Sequence, residues 1–279
     1  PSSRRSPGWA SARANEQAGG PVDPKRATLL ERARALGADL AGIASVGALS
    51  HQEGMDWPEG ARSVLVVAVA HPPGRPEMDW WFGRNDPPGN RILACIVQEL
   101  CDWIPGRFGW RVTHHPYHVE RGGVYLKDAA VLAGLGCIGL SNLLVTPEYG
   151  PCVRLRALTL DADLPPTGPV CFDPCAGCDA PCRAACPQAA FGSGGPAPPV
   201  TQSEPRQARL PGRTGEFSRA ACHVQMDLDV GAAAPQADPA PVEAAAPDDA
   251  AAPTSPEPVK VIRYCRACEL SCRLVAERW

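Results

Sequence analysis

The feature that most constrains the fold of this chain is the run CAGCDAPCRAACP, which begins at Cys175 and holds four cysteines. Successive cysteines are separated by two, three and three residues, and Pro187 follows the last of them. In a cytosolic chain of this size, cysteines clustered in this way more often bind metal or take part in redox chemistry than form disulfides. The four thiols belong to Cys175, Cys178, Cys182 and Cys186.

A second cysteine motif lies near the end of the chain, and one further cysteine stands alone between the motifs. Together they bring the number of candidate ligands to eight, which is enough for two centres of four thiolates each. Bacterial ferredoxins use a closely related spacing, in which the fourth cysteine of a run binds the other of two clusters. The spacing therefore predicts two 4Fe-4S clusters, the first bound by Cys175, Cys178, Cys182 and Cys272 and the second by Cys186, Cys222, Cys265 and Cys268.

Two departures from the ferredoxin pattern leave alternatives open. The second gap is three residues instead of the commoner two, and no proline follows Cys272. Two structural zinc sites would also use four thiolates each. The remaining thiols are interpreted as a spare thiol at Cys171, as core thiols at Cys95 and Cys101, and as structural or cofactor-adjacent thiols at Cys137 and Cys152.

Length and charge exclude some classes of function. The chain has 279 residues and a formal net charge of −3, so it lacks the basic excess of a general nucleic-acid-binding protein. It contains no apolar run of about 18 residues, which predicts that no helix spans a membrane. Polar residues follow Arg4 and Arg5, whereas a twin-arginine export signal needs an apolar segment there. We expect residues 1–26 to be a disordered leader and the protein to be cytoplasmic.

Residues 27–168 predict one domain of mixed helix and sheet. The run ARSVLVVAVAHP is continuously apolar and β-branched, which is typical of a strand buried on both faces. Other segments show helical spacing or strand-like alternation. Helices are predicted over 27–36, 91–104 and 124–135, and strands over 61–72 and 153–164.

Residues 169–279 predict a second unit, which carries the cysteines. Within it, the tract 231–258 is rich in Pro, Ala and Asp and has no apolar period, so it predicts a disordered insertion. The cysteine-rich chain resumes after the tract, which indicates a loop within the unit.

Residues 127–165, KDAAVLAGLGCIGLSNLLVTPEYGPCVRLRALTLDADLP, followed by the cysteine motifs, resemble the epoxyqueuosine reductase and reductive dehalogenase superfamily. The AGLGxIG turn, the TPEYGPxVRL segment and the DADL strand end occur in the order of that family, with Leu160 where threonine is usual. The upstream segments ALGADLAGIASV and SVLVVAVAHP also fit. The resemblance runs from about residue 28 to residue 276, apart from the Pro/Ala/Asp tract.

The resemblance implies an α+β fold, with a nitroreductase-like corrinoid-binding core and a C-terminal ferredoxin-like module that holds two 4Fe-4S clusters. It implies a cobalamin-dependent reductase that receives electrons from a ferredoxin, a flavodoxin or a reductase. The expected partner on the other side is a small-molecule substrate or a partner protein. The alternative is a non-catalytic electron carrier or reductive activator. A third reading is an epoxyqueuosine reductase that acts on tRNA, which the near-neutral charge makes less favoured but does not exclude.

The same resemblance suggests catalytic residues. Glu120 matches the position of the catalytic aspartate of the epoxyqueuosine reductases, although a surface glutamate paired with Arg121 is the simpler interpretation. Tyr125 and Tyr117 are alternative acids, since dehalogenases of the family use a tyrosine. The histidines of the HHPYH segment, His114, His115 and His118, suggest a metal ligand or a polar loop.

A glycine-rich turn is the expected corrinoid contact. Glycine lets a backbone approach a flat ligand closely, although a tight turn between helix and strand would also require it. The family often has an aromatic residue where this chain has Cys137 and a basic residue where it has Leu140. The expected cofactor-binding residues are Gly134, Gly136, Gly139, Ser141 and Asn142.

Overall fold

The computed structural model describes residues 23–49, 57–83, 86–191, 217–236 and 259–279. Its centre is an antiparallel sheet with the strand order β1-β2-β7-β4. The strands of this sheet are β1 (Leu40–Ser45), β2 (Ser63–Ala70), β4 (Val112–His114) and β7 (Val153–Leu160). The helices beside it are α1 (Pro24–Ala35), α2 (Val46–Leu49), α3 (Pro88–Phe108) and α4 (Leu126–Leu132).

Strand β2 is apolar along its whole length because the sheet is covered on both faces. Leu65, Val67 and Val69 pack with α1 and α3, whereas Val64 and Val66 pack with α4 on the other face. Side chains of a strand alternate between the two faces of a sheet. The continuous β-branched run therefore supplies two hydrophobic cores at once, as the sequence predicts.

The predicted elements of the core are confirmed as a mixed helix and sheet fold, with shifted ends. Helix α1 begins at Pro24 because the Asp23 carboxylate accepts a hydrogen bond from the Arg26 N–H, at 2.8 Å. Residues 24–26 therefore belong to a helix and not to a leader. Residues 1–22 lie outside the described part of the chain.

Helix α3 is longer than the helical period predicts, and it corrects the assignment of one cysteine. It starts with a proline at its first position and ends at Gly109, whose φ is 72°. Cys95 on this helix is exposed, so it is not a core thiol, whereas Cys101 is half-buried against the core.

A second, smaller sheet links the two predicted units of the chain. Strand β3 (Trp81–Phe82), from the core segment, pairs with β9 (Val259–Ile262), which in turn pairs with β8 (Pro235–Gln236). The first six residues of the predicted insertion, 231–236, therefore form the end of a helix, a turn and strand β8. Residues 237–258 lie outside the described part. A short hairpin joins β5 (Cys137–Ile138) to β6 (Leu144–Val145).

The remaining helices carry or adjoin the cysteines. They are α5 (Pro181–Ala184), α6 (Arg219–Gly231), α7 (Ala267–Leu270) and α8 (Arg273–Arg278). Among the described residues, no helix has the length and apolar character needed to cross a membrane.

Candidate functional site

The thiols of the first predicted quartet are electrostatic neighbours. Cys182 lies on α5, and Cys272 occupies the position before α8. Burial raises the pKa of Cys182, and the thiols of Cys272, Cys175 and Cys178 raise it further. The structure thus brings together three cysteines of one motif and the last cysteine of the other.

Backbone N–H groups face the sulfur atoms of this first quartet. The Leu140 N–H donates to the Cys175 Sγ at 3.4 Å, and the Arg183 Nε donates to the Leu140 carbonyl at 3.2 Å. Burial raises the pKa of Cys272, and hydrogen bonds from the N–H groups of Leu274 and Val275 act to lower it. Such N–H groups favour the thiolate, which is the form that binds metal.

The second predicted quartet is also a group of electrostatic neighbours. Burial raises the pKa of Cys268 to about 12, and the thiols of Cys222, Cys265 and Cys186 contribute to the increase. Cys222 comes from α6, Cys186 follows α5, and Cys268 lies on α7. Three elements far apart in sequence therefore converge here.

This second quartet has its own N–H donors. The Ala190 N–H donates to the Cys186 Sγ at 3.3 Å, and the Ala267 N–H donates to the Cys265 Sγ at 3.5 Å. The Asp229 carboxylate accepts from the Cys265 N–H at 2.7 Å and so holds that loop against α6.

The donor set suits a polynuclear cluster by its chemistry. Four thiolates held together repel one another and pay a burial cost, so a bound cation stabilises them. Within the described residues, no group of three or more His, Cys, Asp or Glu side chains is arranged so that it could hold a metal ion.

The cysteines outside the quartets have distinct places. Cys171 is exposed, as expected of a spare thiol. Cys137 lies on β5 beside the first quartet; burial raises its pKa to about 12, and the groups of Cys175, Asp173 and Cys272 add to the shift. Cys152 is fully buried, and its sulfur lies 3.9 Å from the Arg266 Nη2.

A buried network of charged side chains joins the second cysteine motif to the central sheet. The Arg266 guanidinium contacts the carboxylates of Asp79 and Glu269, and its Nη2 donates to the His71 carbonyl at 3.1 Å. Arg154 on β7 donates through Nε to Asp79 at 2.9 Å.

The same network is completed by two neutral or titratable groups. His71 Nδ1 lies 2.9 Å from the Asp79 Oδ2, and Arg154 Nη1 donates to the Asn90 side chain at 3.0 Å. Burial works to raise the pKa of Asp79, but the hydrogen bond and charge of His71 and the charges of Arg154 and Arg266 outweigh it and lower that pKa.

Packing within the protein accounts for the glycine-rich turn. A Cβ on Gly134 would lie 2.8 Å from the Thr167 carbonyl oxygen, and one on Gly136 would meet the carbonyl of Val145. A Cβ on Gly139 would lie 2.7 Å from the Val145 side chain and 3.3 Å from the Cys175 Sγ. The turn therefore needs glycine to pack closely on its own chain, whether or not a ligand approaches it.

The two polar residues of the turn also serve the protein. Ser141 is buried, and Asn142 adopts a left-handed backbone, with a φ of 58°. The Asn142 carbonyl accepts a hydrogen bond from the Lys127 Nζ at 2.7 Å.

The candidate acids lie around a tight loop between β4 and α4. Glu120 belongs to the 3-10 turn Val119–Arg121, and its side chain lies outside the described part of the structure. Tyr125 is half-buried, and its carbonyl accepts the first hydrogen bonds of α4. Tyr117 is 59% exposed and lies over the Arg156 guanidinium, 5.1 Å from the ring centre.

The three histidines do not form a common ligand set. His115 is buried; its Nδ1 donates to the Gly122 carbonyl at 3.1 Å, and its Nε2 contacts the Thr159 hydroxyl. His118 meets the edge of the Tyr117 ring, and His114 ends β4. Because protein groups use both ring nitrogens of His115, this residue is a structural link and not a metal ligand.

Comparison with known proteins agrees with the sequence motifs. No protein-family model matches the chain. A curated epoxyqueuosine reductase, from Gloeobacter violaceus, is 30% identical over 203 residues, which cover 60% of this chain and 61% of that protein. Over these residues the chain is similar to an epoxyqueuosine reductase. It spans about three fifths of the length of this curated relative.

Solved structures of epoxyqueuosine reductases and reductive dehalogenases resemble the chain at lower identity than this curated relative. An epoxyqueuosine reductase with an epoxyqueuosine-modified tRNA stem loop has 20% identity and a TM-score of 0.46, and the match covers 60% of this chain and 52% of that one. A catabolic reductive dehalogenase in complex with 3-bromo-4-hydroxybenzoic acid has 20% identity and a TM-score of 0.48, with 65% and 28% covered. At these scores the likenesses carry no argument by themselves.

The buried charge network is the feature of the site that the sequence did not reveal. Its residues are scattered along the chain from His71 to Glu269, and no local spacing relates them to one another. The available signal was the pair of charged residues inside the second motif, Cys265-Arg266-Ala267-Cys268-Glu269. Charges between predicted ligands indicate buried partners, but spacing does not identify those partners.

Proposed function

We propose that the chain is an iron-sulfur reductase in which two 4Fe-4S clusters, bound by the eight cysteines of the two quartets, supply electrons for the reduction of a bound substrate. The observation that carries this proposal is that the eight thiols fall into two groups of four neighbours. The four predicted ligands of each cluster are electrostatic neighbours of one another, although they come from sequence-distant segments. The sequence similarity to a curated epoxyqueuosine reductase supports the same assignment.

The residues of the chain have defined tasks in this proposal. The cysteines hold the clusters, which when bound transfer single electrons. The N–H groups of Leu140 and Ala190 donate to sulfur atoms, one in each quartet, and so favour the thiolate state. Cys182 and Cys186 lie on one short stretch of chain around α5, so they would hold the two clusters close to each other.

The proposed electron acceptor is cobalamin. The sequence resemblance to corrinoid-dependent reductases supports it, whereas the glycine turn does not test it, because packing within the protein explains each glycine. Glu120, with Tyr125 as the alternative, is proposed to donate a proton to the substrate. A carboxylic acid in that role needs a pKa raised by burial. A substrate that covers the loop would bury Glu120 and so favour its protonated form.

The cluster assignment is tested with anaerobically purified protein. We expect about eight iron atoms per chain, because each of two clusters holds four, and an absorbance near 400 nm that dithionite bleaches. Cys272→Ser should remove the first cluster and Cys268→Ser the second, each halving the iron content. Cys171→Ser is the matched control and should retain all the iron. Stoichiometric zinc in the wild-type protein would overturn the assignment.

The reductase assignment is tested by adding cobalamin to the cluster-loaded protein. A shift of the cobalamin spectrum to the base-off form, followed by reduction of the cobalt, is the expected result. Glu120→Gln should then leave cobalamin reduction intact and abolish substrate turnover. Loaded clusters that never reduce cobalamin would favour the alternative of an electron carrier or reductive activator.

A second candidate function is epoxyqueuosine reduction on tRNA. The 30% identity to a curated epoxyqueuosine reductase favours it over other substrates. The test is incubation of the loaded protein with tRNA that contains epoxyqueuosine, followed by nucleoside analysis. Conversion to queuosine would support this candidate, and an unchanged nucleoside alongside active cobalamin reduction would assign the protein another substrate.

A further inference from the structure

The buried charge network lies directly beside the second cysteine quartet. Arg266 stands between two of the proposed ligands, and Glu269 follows the ligand Cys268 in sequence. Arg266 Nε donates to the Glu269 carboxylate at 3.1 Å, and a second contact joins the same two groups through Nη2. Helix α7 therefore carries one proposed cluster ligand, Cys268, and one member of the network, Glu269, and Arg266 directly precedes it.

The carboxylates and guanidiniums of the network are equal in number and largely shielded from water. Asp79 and Glu269 supply two carboxylates, and Arg154 and Arg266 supply two guanidiniums. The side chains of Asp79, Arg266 and Glu269 are 9%, 13% and 11% exposed. Charges in such surroundings interact over longer distances than charges at a wet surface. Removal of one member would therefore leave an uncompensated charge beside the quartet.

The charged groups of the network lie next to proposed ligands. Glu269 directly follows the proposed ligand Cys268 on α7, and Arg266, which contacts the carboxylates of Glu269 and Asp79, stands between the proposed ligands Cys265 and Cys268. A buried negative charge beside a cluster opposes the arrival of an electron and a buried positive charge favours it, because the electron adds negative charge.

We infer that the network of Asp79, Arg154, Arg266 and Glu269 sets the reduction potential of the second cluster, with the carboxylates lowering it and Arg266 raising it. The inference rests on the proposed iron-sulfur function. It assigns these residues a positioning and electrostatic role, and not a catalytic one. Reduction potentials of iron-sulfur centres depend on net charge, hydrogen bonds to sulfur and solvent exposure, and the first of these is the property at issue here.

The test is a redox titration of the whole cluster-loaded protein followed by electron paramagnetic resonance. Glu269→Gln should raise the midpoint potential of the second cluster, and Arg266→Gln should lower it. Each shift should be at least about 59 mV, which corresponds to a tenfold change in the ratio of reduced to oxidised cluster. Arg266→Lys, which keeps the positive charge, should stay within that limit. The Cys268→Ser variant identifies which signal belongs to the second cluster.

The matched control is the exposed ion pair of Arg111 and Asp161, whose side chains meet at 3.0 Å. Arg111→Gln should leave both potentials unchanged, because water and salt screen surface charges. If Arg266→Gln does not assemble the second cluster, Glu269→Gln and Asp79→Asn carry the test, since both must raise the potential. Shifts of the same sign for Glu269→Gln and Arg266→Gln, or no shift, would overturn the inference.

Two further outcomes separate the possible failures. Wild-type protein without iron would refute the proposed function. Wild-type protein with two clusters, whose second cluster is lost in both carboxylate variants, would overturn the inference alone, because the network would then serve only to maintain the fold.

Discussion

His115 ties the loop that carries Glu120 to the central sheet. The ring is 4% exposed, and each of its nitrogens has a protein partner. Because Nδ1 donates to the Gly122 carbonyl, Nε2 of the neutral ring accepts from the Thr159 hydroxyl. Burial lowers the pKa of His115 from 6.5, against the opposing effect of the Gly122 hydrogen bond. The folded protein therefore favours the neutral ring.

This lowered pKa makes stability depend on pH in a defined window. The stability that the neutral His115 ring contributes to the folded protein is fully present above pH 6.5. It is lost as the pH falls through the folded-state pKa, because the unfolded chain binds the proton more readily than the folded one. We expect the free energy of unfolding to decrease between about pH 7 and about pH 5, and urea denaturation across that range measures it.

His115→Phe is expected to weaken this dependence and to lower the stability at neutral pH. The Thr159 hydroxyl and the Gly122 carbonyl would lose a partner in a buried place, which costs about 1–3 kcal/mol. The measurement is urea denaturation of the variant at the two ends of the same pH range. A pH dependence equal to that of the wild type would show that another group is responsible.

At the scale of elements, β1 approaches the end of α4 closely. A Cβ on Gly42 would collide with the Ala133 carbonyl oxygen and lie 2.9 Å from the Thr167 Oγ1. That hydroxyl accepts from the Ile43 N–H at 2.8 Å and donates to the Ala133 carbonyl at 2.6 Å. Strand, helix and the following segment thus meet at one hydrogen-bonded point.

Gly42→Ala should therefore destabilise the protein by about 1–3 kcal/mol, because the added methyl group overpacks a contact between backbones. Gly106→Ala in α3 is the control, since its Cβ would meet no atom within 4 Å. The control should raise stability by up to about 1 kcal/mol, because alanine restricts the unfolded chain. Thermal denaturation of the two variants compares them, and equal effects would contradict this account of the packing.

At the scale of the whole molecule, the cysteine-bearing segments are integrated with the core. Strand β9 pairs with β3, and Arg266 donates to the carbonyl of His71, 195 residues earlier in the chain. Arg183 donates to the Leu140 carbonyl and so joins α5 to the glycine-rich turn. The segments 27–168 and 169–279 therefore share a sheet and a buried network.

Asp79→Ala tests this integration. It should lower the free energy of unfolding by about 3–5 kcal/mol, because two buried guanidiniums would lose a shared partner. Glu99→Ala removes one partner of the exposed pair of Arg32 and Glu99 and should cost less than about 1 kcal/mol. Chemical denaturation of apo and cluster-loaded protein measures both. Similar losses for the two variants would contradict a buried role for Asp79.

Several features were accessible from the sequence because they depend on local periodicity. The apolar run of β2, the helical spacing of α1 and α3, and the spacing of the cysteines each reflect the geometry of a short segment. The assignment of the eight thiols to two clusters remains a prediction, and comparison supports the resemblance to epoxyqueuosine reductases. Periodicity did not show that Cys95 faces solvent, since helical spacing alone leaves the edge of the apolar stripe undefined.

Other features were decided only by the tertiary structure. His115 is a structural link, the glycines of the turn pack against Val145 and Thr167, and Asp79 lies between two guanidiniums. The partners in each of these contacts are far apart in sequence, so no local pattern specifies them. The sequence by itself determined which segments form helices and strands and which thiols are candidate ligands. Tertiary packing decided which charges are buried together, because burial and compensation are properties of groups that meet only in the folded chain.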